Sequence, residues 1–324
     1  MDEDLKPPVV GTNSKPDRLR ILSLTGGGYR GFFTATVLAL LEKHIYPRKL
    51  VDCFNVFAGT SIGGLLACGL ATGVSADALR NTIKTRAPAI FPPKWFTKQR
   101  RAVGTVYSPE PLREVVNACL GDWADKPIGL VPKGLIVTAA NWVKGGPTLY
   151  RSAALGAVLA SGETLRDVCM ATSAAPTYFP PHVVKGAPML DGALAANNPD
   201  GVALLDVLRR WPHALPAVEM LSVGTAGVGS GGMAGDVPES GLGWMLPIVS
   251  FTFATQERLA MEQVALLLGN RYLRINHSPQ PGQKALSEMD VVDSSMTGTL
   301  EALGGEAVNQ ILKNSVGQLN SMLA

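Results

Sequence analysis

The residues best suited to chemistry in this sequence are a serine, an aspartate and a run of glycines, far apart along the chain. Ser61 lies in Gly59-Thr60-Ser61-Ile62-Gly63. A serine flanked by glycines, between a strand-like run and a helical one, is the pattern of a nucleophile elbow. The turn is so sharp that bulky neighbours would clash. It presents the serine at a helix N-terminus, whose partial positive charge favours an anion. Alone, the motif also fits a chance glycine-rich turn. Gly26-Gly27-Gly28-Tyr29-Arg30-Gly31 sits between another apolar run and another helical one. Consecutive glycines can aim several backbone N–H groups at one point, a nest for a phosphate or for the oxyanion of acyl transfer. A nucleotide-binding turn fits less well. It has no Walker lysine and no dinucleotide spacing with an acidic residue at the next strand end, since Glu42 falls in a helix and Asp52 is a weak candidate. Arg30 can pin the loop through its fork of donors, or serve in an ordinary salt bridge. Asp191-Gly192-Ala193 follows the apolar Met189-Leu190. An aspartate at a strand end beside glycine can approach a neighbouring loop closely, although by itself it reads as a turn residue.

Holding these groups together needs a sizeable core, and the totals allow one. The chain has 324 residues, 46% hydrophobic and 17% charged, with 35 glycines. That excludes a disordered chain. The net charge is +3, from 29 basic and 26 acidic residues. This is too small to argue for a nucleic-acid polymer as partner. Cys53, Cys68, Cys119 and Cys169 form no CxxC pair and have no neighbouring histidines, so no metal site is expected. Reduced thiols in a cytoplasm are the simplest reading, with Cys53 and Cys68 as small core residues. Residues 1–17 are acidic and then proline-rich, without the pattern of a signal peptide. They read as a flexible tail ahead of one domain over 18–324. Cys53 to Ala76 carries no charged side chain and is long enough to mimic a membrane span, but its five glycines favour a buried strand, a sharp turn and a buried helix.

Strands are expected over 20–24, 54–58, 135–140, 217–223 and 271–276. Helices are expected over 32–44, 62–72 (closed by Gly73), 155–170 and 254–268. A closing helix over 300–323 is expected to break at Gly304-Gly305. The alternation predicts a mostly parallel sheet covered by helices on both faces. Val223 to Trp244 is the clearest loop.

Taken in order, the glycine loop, the G-x-S-x-G serine and the D-G-A aspartate resemble the patatin-like phospholipase family. Ala171-Thr172-Ser173-Ala174-Ala175-Pro176-Thr177-Tyr178-Phe179-Pro180-Pro181 resembles the family's stretch before its aspartate, and Leu221-Ser222-Val223-Gly224-Thr225 its later strand and turn. The resemblance spans roughly residues 20 to 225, and five ordered matches are far more specific than one. It implies a three-layer α/β/α fold and hydrolysis of lipid acyl esters without a cofactor. Ser61 would be the nucleophile and Asp191 the base. The amides of Gly26, Gly27 and Gly28 would form the oxyanion hole, with Arg30, Gly31, Gly59, Gly63, Gly192 and Ala193 supporting the motifs. It further implies peripheral contact with phospholipid at the inner membrane surface, and it leaves room for a homo-oligomer. A patatin-like enzyme with no attached domain is also similar to bacterial antiviral effectors switched on by a cyclic dinucleotide. The Val223–Trp244 loop and the basic Lys94–Arg101 stretch are candidate sites for such an activator. Phe91 to Arg101 mixes aromatics with cations and fits either a lipid contact or a partly buried lid. Three alternatives stand beside this reading: a Ser–Asp–His triad using His213 or His277 of the four histidines (His44, His182, His213, His277), a general carboxylesterase, and an inactive binding module.

Overall fold

The computed structural model describes residues 17–92, 105–227, 247–277 and 289–324. Its strands are β1 (Leu19–Leu24), β2 (Val56–Gly59), β3 (Gly134–Asn141), β4 (Gly146–Arg151), β5 (His182–Val184), β6 (Ala187–Asp191), β7 (Val218–Val223) and β8 (Tyr272–Ile275). They make one eight-stranded sheet in the order β5-β6-β3-β2-β1-β7-β8, with β4 also paired to β3. The pairs β1–β2, β2–β3, β1–β7 and β7–β8 are parallel. The β3–β4, β3–β6 and β5–β6 pairs are antiparallel.

The parallel strands alternate between two cores, because successive side chains on a strand point to opposite faces. On one face Leu22, Leu24, Phe57, Leu135, Val137, Leu221 and Val223 pack into the larger core. On the other, Ile21, Val56, Ala58, Ile136, Val218 and Met220 meet a smaller one. The larger core takes α1 (Gly31–His44), α2 (Ile62–Ala71), α3 (Ala76–Ile90), α4 (Pro109–Leu120), α5 (Leu165–Thr172), α8 (Ser294–Asn314) and α9 (Val316–Leu323). The smaller takes α6 (Asp200–Arg210) and α7 (Pro247–Leu268). The architecture is the expected three-layer α/β/α fold with a mostly parallel central sheet.

Three expected helices differ. Over 155–170 the chain makes short 3-10 turns at Ala153–Leu155 and Ala157–Leu159, and α5 begins only at Leu165. Gly156 at φ +124 cannot belong to a helix, and the Thr164 side chain caps α5 by accepting from the Asp167 N–H. The closing helix begins at Ser294, runs unbroken through Gly304-Gly305 and ends at Asn314. Gly304 is a close-packing point, since a Cβ there would lie 2.9 Å from Thr36 Cγ2 of α1. The expected helix over 254–268 starts earlier, at Pro247. The segment read as span-like is the buried pair β2 and α2. Among the described residues no helix is long and apolar enough to cross a membrane. All four cysteines are buried free thiols. The 1–17 tail up to residue 16, most of the Val223–Trp244 loop, and the Lys94–Arg101 stretch lie outside the described residues.

Candidate active site

Strand β3 is the ruler that brings Ser61 and Asp191 together. Its edge is shared end to end by two strands running in opposite directions. Parallel β2 ends with Gly59 opposite Val137, and antiparallel β6 ends with Asp191 opposite Ala139. At about 3.3 Å per residue, the two strand ends approach to within about 7 Å. Both chains must turn off the sheet there, and each turn carries one of the two candidate side chains. Thr138, between those register positions, ties the junction. Its hydroxyl lies 2.7 Å from that of Thr60, which donates to the Ala196 carbonyl at 2.7 Å.

The glycines are demanded by contact. A Cβ on Gly59 would lie 2.2 Å from the Gly63 carbonyl oxygen, one on Gly63 2.3 Å from that of Leu24, and one on Gly192 2.2 Å from Thr138 Oγ1. Gly31 is packed against the Ile62 side chain, so the glycine-loop helix and the elbow helix approach closely. Ser61 itself adopts φ 54, ψ −126. A non-glycine residue held there stores strain, which surrounding contacts must over-determine. One such contact is the Ser61 N–H donating to Thr172 Oγ1 at 2.8 Å, from the end of α5.

The Ser61 hydroxyl donates to Asp191 Oδ2 at 2.8 Å. The other carboxylate oxygen, Oδ1, accepts the Ala193 N–H at 2.8 Å, so Ala193 orients the aspartate through its backbone. The Asp191 N–H is held by the Ala174 carbonyl at 2.9 Å. Asp191 is 4% exposed. Burial pushes its pKa up to about 7, against the opposing pull of the Ala193 amide and the Ser61 hydroxyl. It is therefore a carboxylate matched to proton transfer near neutral pH.

The glycine loop lies directly over the serine. A Cβ on Gly26 would lie 3.3 Å from Ser61 Cβ. The three glycine amides are not equivalent. Gly26 N–H already donates to the Asn197 carbonyl at 3.0 Å, which makes it an anchor and not an oxyanion donor. Among the described residues, the Gly27 and Gly28 amides have no acceptor. Gly28 has φ +56, and the next amide, of Tyr29, turns away to the Met289 carbonyl at 2.8 Å. Arg30 is buried with its guanidinium against Gly227, where a Cβ would lie 3.2 Å from Cζ.

No histidine joins the pair. His182 bonds Asp167 at 3.0 Å and His44 bonds Asn320 at 3.2 Å. Among the described residues, His213 and His277 make no bond to Ser61 or Asp191. That geometry argues against the triad alternative. Among the described residues no cluster of His, Cys, Asp or Glu could hold a metal ion. Thr172, Thr138 and Asn197 are the site-building residues that the sequence reading did not single out. Thr172 sits inside the matched stretch 171–181, but a lone threonine carries no mark of its partner.

Residues 22–204 match the model of the family described as patatin-like phospholipase. The chain is 36% identical over 233 residues to a protein of Escherichia coli (strain TW11681) named cGAMP-activated phospholipase, covering 67% of this chain and 65% of that one. It is also 36% identical to a protein of Vibrio cholerae serotype O1 with the same name, covering 65% of each chain. A third protein of that name, from Pseudomonas aeruginosa (strain BWHPSA011 / Pa011), is 29% identical over 311 residues, 92% of this chain and 90% of that one. The match thus spans just under two thirds of the first two relatives' length. With the glycine loop, elbow serine and aspartate assembled as one site inside the matched residues, the chain belongs to the patatin-like phospholipase family.

Proposed function

We infer that the protein is a serine acyl hydrolase that cleaves acyl esters of membrane phospholipids with a Ser61–Asp191 dyad. The observation that carries this reading is the 2.8 Å hydrogen bond between a strained elbow hydroxyl and a buried carboxylate 130 positions further along the chain. In the proposed reaction Asp191 accepts the hydroxyl proton as Ser61 Oγ attacks the ester carbonyl carbon. The carbonyl oxygen becomes an oxyanion, stabilised by the Gly27 and Gly28 amides and the N-terminus of α2. Losing one such donor costs about 3 to 4 kcal/mol in the transition state. Asp191 passes its proton to the departing alkoxide of the lysolipid, and the acyl group stays on Ser61. Water, losing a proton to Asp191, then attacks the acyl-enzyme. The fatty acid leaves, and the proton returns to Ser61.

The names of the three relatives support a second element, activation by a cyclic dinucleotide. A defence role and action at the inner membrane face go with that reading. The test is hydrolysis of phospholipid vesicles by wild type and Ser61→Ala, with and without cGAMP, with product analysis. Release of fatty acid and lysolipid by wild type alone, raised by cGAMP, is expected. Failure of Ser61 to react with a fluorophosphonate, together with no lipid or soluble-ester hydrolysis, would point to a binding module. Cleavage of soluble esters alone would point to a general carboxylesterase.

A further inference from the structure

The start of the glycine loop is held by a buried charge cluster that the reaction above does not use. Arg274, on β8, is the hub. Its Nη1 donates to Thr25 Oγ1 at 2.9 Å, immediately before the loop, and to Ser222 Oγ at 2.6 Å. Its Nη2 donates to Glu257 Oε1 of α7 at 2.6 Å. Ser222 in turn donates to Asp200 Oδ1 and Oδ2 at 2.7 and 2.8 Å, and Tyr272 OH donates to Asp200 Oδ2 at 2.6 Å. Asp200 and Glu257 are buried, and in the Arg274–Glu257 pair the side chains are only 10% and 8% exposed. At the loop's other end Arg30 is also buried, and the nearby Glu257 carboxylate holds its pKa up against a larger lowering by burial. Buried Arg274 is thus paired with Glu257 directly and with Asp200 through Ser222. Such charges persist only when each has its partners, so removing one destabilises the arrangement of the rest.

The cluster has a direction. β7 and β8 are sheet strands, fixed by their ladder. Helix α7 lies outside the sheet, and much of its apolar surface is exposed, including Phe251 at 48% and Leu266 at 86%. Glu257 is the buried charged side chain through which this helix reaches the loop. Resting on the acyl-hydrolase reading, we propose that Glu257, acting through Arg274, is a positioning residue. It fixes Thr25 at the start of the glycine loop, so that the Gly27 and Gly28 amides face the oxyanion and the placement of α7 sets catalytic competence.

Glu257→Gln keeps the shape and removes the charge. Thr25→Val removes only the loop's acceptor for Arg274, and Thr25→Ser restores it. Glu262→Gln, in the exposed Arg258–Glu262 pair on the same helix, is the control. The first measurement is hydrogen exchange of the peptide covering 23–32, which needs no activity. Exchange at the bonded amides of Thr25, Gly26, Tyr29 and Arg30 is expected to rise at least tenfold in Glu257→Gln and Thr25→Val, and to stay at the wild-type rate in Thr25→Ser and Glu262→Gln. The second is soluble-ester hydrolysis per fluorophosphonate-titrated site. It is expected to show a tenfold or greater fall in kcat with KM within twofold in Glu257→Gln, and rescue in Thr25→Ser relative to Thr25→Val. A purely structural role would lower the titrated fraction and leave kcat per site unchanged. Unchanged loop exchange in Glu257→Gln and Thr25→Val would overturn the proposal, as would an unchanged kcat per site. Should wild type itself fail to react with fluorophosphonate, the hydrolase reading falls, and loop exchange still decides whether the clamp exists.

Discussion

Lowering the pH through 7 should switch the proposed hydrolysis off, because Asp191 must be ionised to take the serine proton. Its pKa, pushed by burial from 3.8 to about 7, sets the scale. At pH 6 roughly one aspartate in ten is ionised, and at pH 5 roughly one in a hundred. The value of kcat/KM for a soluble ester, which reports the free protein's base, should therefore fall about tenfold and then about a hundredfold from its plateau above pH 8. An aspartate at its ordinary pKa would leave the profile nearly flat over that range. The same shift has a stability sign that can be checked separately. A carboxyl whose pKa is higher folded than unfolded gives the fold its full stability below the unfolded pKa, near 4. That stability is lost as pH rises toward 7, where burial of the charge costs most. About 3 units at 1.36 kcal/mol each set an upper figure of about 4 kcal/mol. Asp191→Asn should abolish turnover yet raise the melting temperature at pH 8 and leave it nearly unchanged at pH 4. A pH–rate profile changing less than twofold between pH 8 and 5.5, or an Asp191→Asn protein that turns over normally, would refute the reasoning.

Other consequences can be measured directly. Ser61→Ala should lower ester hydrolysis at least about a thousandfold with an unchanged circular dichroism spectrum, since the hydroxyl is the attacking atom. Thr172→Val leaves the Ser61 N–H without its acceptor. It should cost about 1 to 3 kcal/mol in urea unfolding and lower kcat more than it raises KM. Gly63→Ala places a methyl 2.3 Å from the Leu24 carbonyl oxygen, a backbone atom that cannot swing aside, so loss of soluble protein or of activity is expected. Gly304→Leu should force α8 away from α1 at Thr36 and lower the melting temperature by several degrees, whereas Gly305→Ala, which meets nothing within 4 Å, should be neutral or stabilising.

The parallel strands and the motifs of the candidate site were legible locally. Runs such as Leu19–Leu24 and Val218–Val223 are apolar on both faces, as only a sheet sandwiched between helices allows. Gly59, Gly63 and Gly192 mark places where a side chain would strike backbone or a fixed hydroxyl, and that demand is written in residue type. Gly156 and Gly304 show the limit of such reading. One glycine ends a helical stretch by its φ, and the other lets an unbroken helix approach its neighbour. Sequence spacing does not distinguish the two, because the difference lies in what stands opposite.

What belonged to the sequence alone was the chemistry: a hydroxyl on a sharp turn, a carboxylate beside a glycine, and amides without side chains. What only the tertiary structure decided was which of these groups meet and how they are tuned. Ser61 and Asp191 meet because β2 and β6 share one edge of β3 from opposite directions. The carboxylate's pKa rises toward neutral because the fold removes water from it. Gly26 is an anchor because Asn197, distant in the chain, takes its amide. Each of these depends on partners brought together by the strand register, and register arises from long-range pairing that no local pattern of residues contains.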